Sequence, residues 1–284
     1  MEKKFSKIFA FDLDGTLVHE DEGGQRRIPE GLKAALFELS RREHLVVATG
    51  RRIRSAEPVI KEMPQMQFGI FHNGLVVRHR DGHIPVHRKI SRDNVAQVRD
   101  LLEGVNLSSF LVLDGKFKDV DFIFEKKSVL ENEHFRYAIE KSDRHGLCVD
   151  SFNELSSDWD SHILELAIIG MYEPLLEAQK FLRDELPQNL KAVVVRNCGY
   201  DGRSVLEIYD STASKWSGVE FVKERLGAEQ IIAVGDDEND LEMIEWSDVG
   251  VAMKHALPHV RAKAKVEVDG ASGLEEYLWE NWLR

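Results

Sequence analysis

Two aspartates stand one residue apart where an apolar stretch ends, in FAFDLDGTLV at residues 9–18. Residues i and i+2 of an extended strand face the same side, so Asp12 and Asp14 are expected to converge just beyond the strand. Open α/β sheets bind ligands at that edge. Two adjacent carboxylates repel each other unless a cation relieves them. Their oxygen-only ligand set favours Mg²⁺ over Ca²⁺ or Zn²⁺, so we expect a magnesium site here.

Three further polar motifs follow in a fixed order along the chain. An apolar strand, HLVVATG at 44–50, ends in Thr49, and Lys215 opens a late helix. GDDEND at 235–240 follows another apolar strand. Together with D-x-D-G-T at residues 12–16, these motifs resemble, in order and spacing, the four motifs of the haloacid dehalogenase superfamily.

The long segment between Thr49 and Lys215 extends the resemblance over essentially the whole chain. The segment is entered after FHNG at 71–74 and is similar to the type IIB cap of the Cof-like phosphatases, and GVAM at 250–253 also resembles that subfamily. One departure follows GVAM, where Lys254 and His255 replace the Gly-Asn that is common in the subfamily. It leaves the local loop geometry and the substrate-side contacts open.

Phosphoryl transfer gives each motif a chemical role. Asp12 would attack phosphorus in line and form an aspartyl-phosphate. Asp14 would protonate the leaving oxygen and then deprotonate the attacking water. Lys215 would offset the negative charge of the phosphoryl group and the nucleophile, helped by the positive end of its helix. Ser211, Thr212 or Ser214 is expected to cap that helix.

The resemblance also implies a ligand set for the metal and a set of phosphate contacts. Asp236, Asp12 and the main-chain carbonyl of Asp14 would hold Mg²⁺. Asp240 would contact these ligands or would reach the metal through a water molecule. Gly15 lets the chain turn with its amides exposed to phosphoryl oxygens. The expected substrate or phosphate contacts are Gly15, Thr16, Gly50, Arg51, Asn73 and Asn239, and the expected catalytic residues are Asp12, Asp14, Thr49 and Lys215.

Continuous apolar strands alternate with helical patterns at both ends of the chain, which indicates a parallel sheet covered on both faces. The middle of the chain contains a hairpin pattern with Asp81-Gly82 at its turn, helices and short strands. We therefore predict an α/β fold in which a Rossmann-like core, residues 1–80 and 212–284, carries an inserted α+β cap, residues 81–211. The cap is expected to close over the active site and to choose the leaving group.

Composition limits the partners. The net charge of -12 argues against nucleic acid, and no apolar run approaches the roughly 18 to 20 residues that span a bilayer. The chain begins with MEKKFSKIFAF, which is too short in apolar residues for a signal peptide, so a cytoplasmic location is expected. Cys148 and Cys198 lie far apart and are expected to be reduced. The oligomeric state is left open, because Trp279 and Trp282 could pack on the core or on a neighbour.

The predicted function is a Mg²⁺-dependent phosphatase that hydrolyses a small phosphorylated metabolite through an aspartyl-phosphate. A phosphomutase of the same superfamily is the enzymatic alternative, and a non-catalytic phosphoacceptor regulator is the alternative from another class. Calcium-binding loops are excluded because Leu17 and Leu241 stand where such loops require Gly. The stretch RHRDGHIPVHRK at 78–89 raises two weaker hypotheses: a transition-metal site of His79, His83 and His87, and capture of anionic substrates by Arg78, Arg80 or Arg88.

Overall fold

The computed structural model describes residues 5–20, 24–63, 65–196 and 202–284. It divides into two compact units, a core unit of Met1–His87 with Ala213–Arg284 and an inserted unit of Arg88–Thr212. The sequence placed the first boundary at residue 80, before a strand that pairs within the core sheet. Cys198 lies outside the described residues.

Ten strands and six helices form the core unit in the described residues. The strands are β1 (Lys7–Phe11), β2 (His19–Glu20), β3 (Arg26–Arg27), β4 (His44–Ala48), β5 (Phe68–Phe71), β6 (Val76–His79), β7 (Val86–His87), β14 (Gln230–Gly235), β15 (Val249–Met253) and β16 (Val266–Val268). The helices are α1 (Glu30–Ser40), α2 (Ile53–Lys61), α7 (Lys215–Leu226), α8 (Leu241–Trp246), α9 (Pro258–Arg261) and α10 (Gly270–Leu278).

The core sheet has the order β16-β15-β14-β1-β4-β5-β6-β7, and β2 pairs with β3 in a separate two-stranded ribbon. The strands from β16 to β5 run parallel, whereas β5, β6 and β7 pair antiparallel. β1 and β14 lie side by side although they come from opposite ends of the chain. Their carboxyl ends therefore meet at one edge of the sheet.

Alternate side chains of β1 enter apolar layers on opposite faces of the sheet. Ile8 and Ala10 join a cluster that contains Val219 and Val222 of α7. Phe9 contacts Trp282 of the C-terminal turn edge to face, with ring centroids 5.1 Å apart. The predicted parallel α/β core with helices on both faces is confirmed, and Trp282 packs on its own chain.

The chain segments on the two sides of the insertion pack directly against each other within the core unit. β5 ends at Phe71, because His72, Asn73 and Gly74 take positive φ angles of 48°, 51° and 94°. A Cβ on Gly74 would lie only 2.0 Å from the Ser214 carbonyl oxygen. Only glycine fits at this position, since both the φ angle and the close backbone approach exclude a side chain.

The inserted unit is an α+β unit with its own apolar core. Its strands are β8 (Phe110–Leu113), β9 (Phe122–Glu125), β10 (Gly146–Val149), β11 (Ile163–Gly170), β12 (Leu190–Val195) and β13 (Ser204–Asp210). Its helices are α3 (Arg92–Gly104), α4 (Lys126–Glu131), α5 (Glu133–Lys141) and α6 (Tyr172–Glu185). The strands form one mixed sheet of order β10-β9-β8-β11-β13-β12, and α3 and α6 cover one of its faces.

The longest helix in the described part of the chain, α6, has 14 residues. No helix there combines the length and the apolar composition that crossing a bilayer requires.

Candidate active site

The residues after three neighbouring strands meet at the carboxyl edge of the core sheet. Asp12 follows β1, Asp236 follows β14 and Thr49 follows β4. The amide of Asp12 donates to the Val234 carbonyl at 3.0 Å, and the amide of Thr49 donates to the Ile70 carbonyl at 2.9 Å. The ladder hydrogen bonds thus continue one residue past the strands and fix where these side chains begin.

Lys215 lies between two carboxylates in the interior of this edge. Its Nζ donates to Asp12 Oδ1 and to Asp240 Oδ1, both at 2.7 Å, and its side chain is only 2% exposed. Lys215 is the first residue of α7, whose cap is Ser214: the Ser214 hydroxyl accepts from the Ser217 amide, and the Ser217 hydroxyl accepts from the Ser214 amide. Of the three cap residues that the sequence offered, the structure selects Ser214.

The charges in this cluster shift one another's pKa. Burial alone would lower the pKa of Lys215, but Asp12 and Asp240 outweigh it and raise that pKa, so Lys215 stays an ammonium. Burial raises the pKa of Asp12 above its usual value, because Lys215 offsets only part of the cost and Asp240 and Asp236 add repulsion. Burial and the charge of Asp240 likewise raise the pKa of Asp236.

Asp240 is held by the backbone of the loop that contains Asp236. Its Oδ2 accepts from the amides of Asp236 at 3.0 Å and Asp237 at 3.1 Å, while its Oδ1 faces Lys215. A Cβ on Gly235 would lie 2.5 Å from Asp240 Cγ. Gly235 therefore permits the close approach by which Asp240 fixes both Lys215 and the loop.

Asp12, Asp236 and Asp240 form the one cluster of at least three acidic, His or Cys side chains in the described residues whose donor atoms lie within 4.8 Å of one another. All three donors are carboxylate oxygens, and burial together with the repulsion among them raises the pKa values of Asp12 and Asp236. A hard divalent cation fits both observations. Thr16 Oγ1 donates to Asp236 Oδ1 at 3.1 Å and orients that carboxylate.

The Asp14 carboxylate lies outside this cluster, in contact with two arginines. Arg51 Nε donates to Oδ2 at 2.6 Å, and Arg51 Nη2 donates to Oδ1 at 2.5 Å. Arg26 Nη2 also donates to Oδ1, at 2.6 Å. Burial would raise the pKa of Asp14, but the bonds and charge of Arg51, with Arg26, lower it below the usual value.

Two asparagines link the loops around the predicted phosphate site. Asn239 Nδ2 donates to Asn73 Oδ1 at 2.9 Å. A Cβ on Gly50 would lie 3.1 Å from that same oxygen, so a side chain there would press on Asn73. The Arg51 amide donates to Thr49 Oγ1 at 3.1 Å, which leaves the Thr49 hydroxyl hydrogen for another acceptor.

Gly15 lies at φ +87°, a conformation in which L side chains are strained. A Cβ there would lie 2.4 Å from Asp236 Oδ2. The glycine of the D-x-D-G-T motif thus permits the turn after Asp14 and leaves space for the acidic cluster.

The structure adds two residues that the sequence analysis did not assign to the site. Arg26, on the β2–β3 ribbon, carried no signal beyond its place in a basic pair. His255 Nε2 lies 3.2 Å from Asp236 Oδ2, and His259 Nε2 pairs with Glu238 on the same loop. His255, which departs from the subfamily pattern after GVAM, thus contacts the acidic loop.

The described contacts of His79 and Arg78 in the stretch 78–89 are with neighbouring side chains of the core unit. His79 Nδ1 lies 2.9 Å from Asp81 Oδ1 and its ring packs on Phe68. Arg78 lies over the Phe71 ring, with its Cζ 5.5 Å from the ring centroid. In the described residues, the ring nitrogens of His79, His83 and His87 do not form a cluster in which all donor atoms lie within 4.8 Å of one another.

The acidic cluster and its buried lysine lie at the carboxyl edge of a parallel sheet and define the candidate active site of an enzyme with an open α/β fold. Comparison with known proteins gives the family. The sequence pattern of the haloacid dehalogenase-like hydrolases matches residues 9–272, and the chain belongs to that family. The predicted resemblance and the prediction of a hydrolytic enzyme are confirmed.

Individual relatives match nearly end to end. The 5-amino-6-(5-phospho-D-ribitylamino)uracil phosphatase YitU of Bacillus subtilis is 28% identical over 292 aligned positions, which cover 95% of this chain and 97% of the relative. The phosphatase BT1666 of Bacteroides thetaiotaomicron superposes with a TM-score of 0.75 at 20% identity, covering 98% of this chain and 95% of its own. The subclass IIB sugar phosphatase BT4131 gives a TM-score of 0.71 at 20% identity, covering 98% of this chain and 100% of its own.

Proposed function

We propose that this protein is a Mg²⁺-dependent phosphatase that hydrolyses small phosphomonoesters through an aspartyl-phosphate on Asp12. The observation that carries the proposal is the buried Lys215, which bonds both Asp12 and Asp240 at 2.7 Å. An ammonium in this position orients the Asp12 carboxylate and offsets part of the cost of its charge, and it would also offset the charge that a phosphoryl group brings. A bond network used only for stability would not need to place an aspartate at the ligand-binding edge of the sheet.

Asp12, Asp236 and Asp240 would hold the cation, directly or through water, and the Asp14 carbonyl stays a predicted ligand. A bound Mg²⁺ would supply positive charge to the phosphoryl oxygens and to Asp12. The side chains of the protein then divide the remaining tasks. Thr49 donates its hydroxyl hydrogen to a phosphoryl oxygen, and the amides of Thr16 and Gly50 donate to others.

Hydrolysis takes two displacements at phosphorus. In the first, a carboxylate oxygen of Asp12 forms a bond to phosphorus while the bond to the leaving oxygen breaks, and Asp14 gives that oxygen a proton. In the second, Asp14 takes a proton from water, the water oxygen bonds to phosphorus, and the bond to Asp12 breaks. Phosphate leaves and both aspartates return to their starting states.

The lowered pKa of Asp14 does not suit a group that must donate a proton, because it favours the deprotonated carboxylate. In the arrangement described here Arg51 and Arg26 hold Asp14 as a carboxylate. Proton transfer to the leaving group therefore requires the Asp14 carboxyl to part from at least one arginine when substrate is bound.

The proposed substrates are small phosphorylated metabolites. YitU acts on a phosphorylated ribitylamino compound and BT4131 on sugar phosphates, as their names state. These names support polyol and sugar phosphates as the first compounds to assay. The cytoplasmic location expected from the sequence stays a prediction.

The test is phosphate release from a panel of sugar and polyol phosphates with Mg²⁺, with EDTA, and with the Asp12→Asn variant. We expect release that EDTA abolishes and that Asp12→Asn lowers by at least about 10³-fold, since the nucleophile is lost. Asp93→Asn is the matched control, because Asp93 is an exposed aspartate of α3. Release that survives in Asp12→Asn, or no release from any compound, would contradict the proposal.

A further inference from the structure

Two arginines from separate segments converge on the Asp14 carboxylate. Arg51 lies three residues after the end of β4 and uses two nitrogens, at 2.6 and 2.5 Å, while Arg26 comes from β3 and uses one, at 2.6 Å. A guanidinium is a planar fork that matches a carboxylate or a phosphate. The Asp14 carboxylate thus lies in an anion-binding position formed by two guanidinium groups.

These arginines lie on the solvent side of the reacting groups. The Asp12 and Lys215 side chains are 6% and 2% exposed, whereas those of Asp14, Arg51 and Arg26 are 36%, 20% and 55% exposed. Arg26 is therefore the most exposed of these five side chains, and Asp12 and Lys215 are the least exposed. A substrate entering from solvent meets the arginines with the part that is not attacked.

The proposed mechanism indicates where the leaving group of the substrate lies. Asp14 protonates the leaving oxygen, so whatever borders the Asp14 carboxyl also borders the leaving group. In-line attack puts the leaving group on the side of phosphorus away from Asp12. Arg26 and Arg51 thus stand beside the leaving group, while Lys215 stands beside the phosphoryl group that is transferred.

The charges of this trio do not cancel. Two guanidinium groups face one carboxylate, so the trio keeps one positive charge in a chain whose formal net charge is -12. A second anion can bind Arg26 while Arg51 keeps two bonds to Asp14. Exchange of Arg26 to that anion also removes one of the contacts that hold Asp14 away from the leaving oxygen.

We propose that Arg26, with Arg51 beside it, binds an anionic group on the leaving-group part of the substrate, so that preferred substrates carry a phosphate or carboxylate in addition to the phosphate that is cleaved. This inference rests on the proposed function. It narrows the small phosphomonoesters to those with a second negative charge and makes Arg26 the residue that selects them.

Three synthetic esters of similar length test the proposal: 3-hydroxypropyl phosphate, 3-carboxypropyl phosphate and propane-1,3-diyl bisphosphate. We expect kcat/KM to be about tenfold or more higher for the two esters with a second anion, because each gains a charge-assisted hydrogen bond to Arg26. The carboxylate and the bisphosphate arms show which anion is preferred. Arg26→Gln is expected to remove the difference between the three esters.

Arg27→Gln is the matched control, since Arg27 is the neighbouring residue of β3 and the same charge is lost. It should keep most of the preference that Arg26→Gln removes. Equal kcat/KM for the three esters in the wild type would overturn the inference, as would a preference that persists in Arg26→Gln. Either result leaves the proposed phosphatase function intact if EDTA and Asp12→Asn still abolish release.

A binding measurement tests the role of Arg26 without relying on phosphate release. Calorimetric titration of the same esters into Asp12→Asn protein measures affinity where no reaction occurs. Tighter binding of the two anionic esters, lost on adding Arg26→Gln, would support the inference even if the wild type released no phosphate. Equal affinities would overturn it independently of any activity.

Discussion

Lys215 and Asp12 lie 203 residues apart in sequence and are joined by a buried hydrogen bond of 2.7 Å. The bond connects the start of α7 to the end of β1, and Asp240 anchors the same ammonium from the loop after β14. Three segments of the core unit are thus tied at one nitrogen atom. This arrangement gives Lys215 a structural role beside its proposed catalytic role, and the two roles can be measured separately.

Lys215→Met should lower the free energy of unfolding by about 3–5 kcal/mol, because two buried carboxylates lose their partner. Urea unfolding in EDTA measures this loss without a contribution from metal. The exposed Lys61, which pairs with Glu57 one turn away, offers a matched control: Lys61→Met should change stability by about 0.5 kcal/mol or less. Equal losses in the two variants would argue against a buried charge cluster.

Asp14→Asn should separate the two chemical steps. An alkyl phosphate needs a proton on its leaving oxygen, so its hydrolysis should fall by about 10²–10⁴-fold. p-Nitrophenolate leaves without a proton, but hydrolysis of the aspartyl-phosphate still needs the base. We therefore expect a stopped-flow burst of one p-nitrophenolate per site, followed by slow turnover. Equal losses for both substrates with no burst would exclude this role of Asp14.

Gly15→Ala should weaken Mg²⁺ binding as well as the fold. The new Cβ would meet Asp236 Oδ2 at 2.4 Å and would be strained at φ +87°. Gly82 has a similar φ of +94° but no atom within 4 Å of an added Cβ, so Gly82→Ala isolates the strain, about 1–2 kcal/mol. Calorimetric Mg²⁺ titration should then show a lower Mg²⁺ affinity for Gly15→Ala and an unchanged affinity for Gly82→Ala. A lower affinity in both variants would refute the steric cause.

Arg51→Gln should reduce stability more at neutral pH than in acid. The folded protein holds the pKa of Asp14 below its ordinary value of 3.8, so the stabilisation is complete above that value and is lost as pH falls through the lower pKa of the folded state. Because Asp14 is partly exposed, we expect a difference of about 1 kcal/mol at pH 7. Thermal unfolding at pH 7 and near pH 3 measures it, and a difference independent of pH would be inconsistent with the ion pair.

The sequence assigned Asp12, Lys215 and the acidic loop to one site, and each of them stands at the end of a regular element with a clear apolar pattern. It also listed Asn73 and Asn239 among the expected phosphate contacts, and the structure joins their side chains by a hydrogen bond. These positions follow from the order of parallel strands, which local patterns are able to indicate.

Arg26 was beyond such reasoning. Its strand, β3, has only two residues, and nothing in RR at 26–27 tells which arginine reaches Asp14. The side-chain environment of Asp14 was likewise missed: i and i+2 spacing suggested that both aspartates face one point, but the turn after Leu13 and the pull of two guanidinium groups place the Asp14 carboxylate apart from the acidic cluster. Long-range ion pairs of this kind depend on tertiary structure.

The close approach of Gly74 to Ser214 has a consequence for the order of folding. The contact closes a chain segment that contains the whole inserted unit, and closing a long unfolded segment costs conformational entropy. Within the inserted unit, burial lowers the pKa of Arg88 and the charge of Asp210 acts in the opposite direction, so we expect a folded insertion to bring its two ends together. Closure is then a short-range event, and we expect the insertion to fold before β1 and β14 can pair with their neighbours around Lys215.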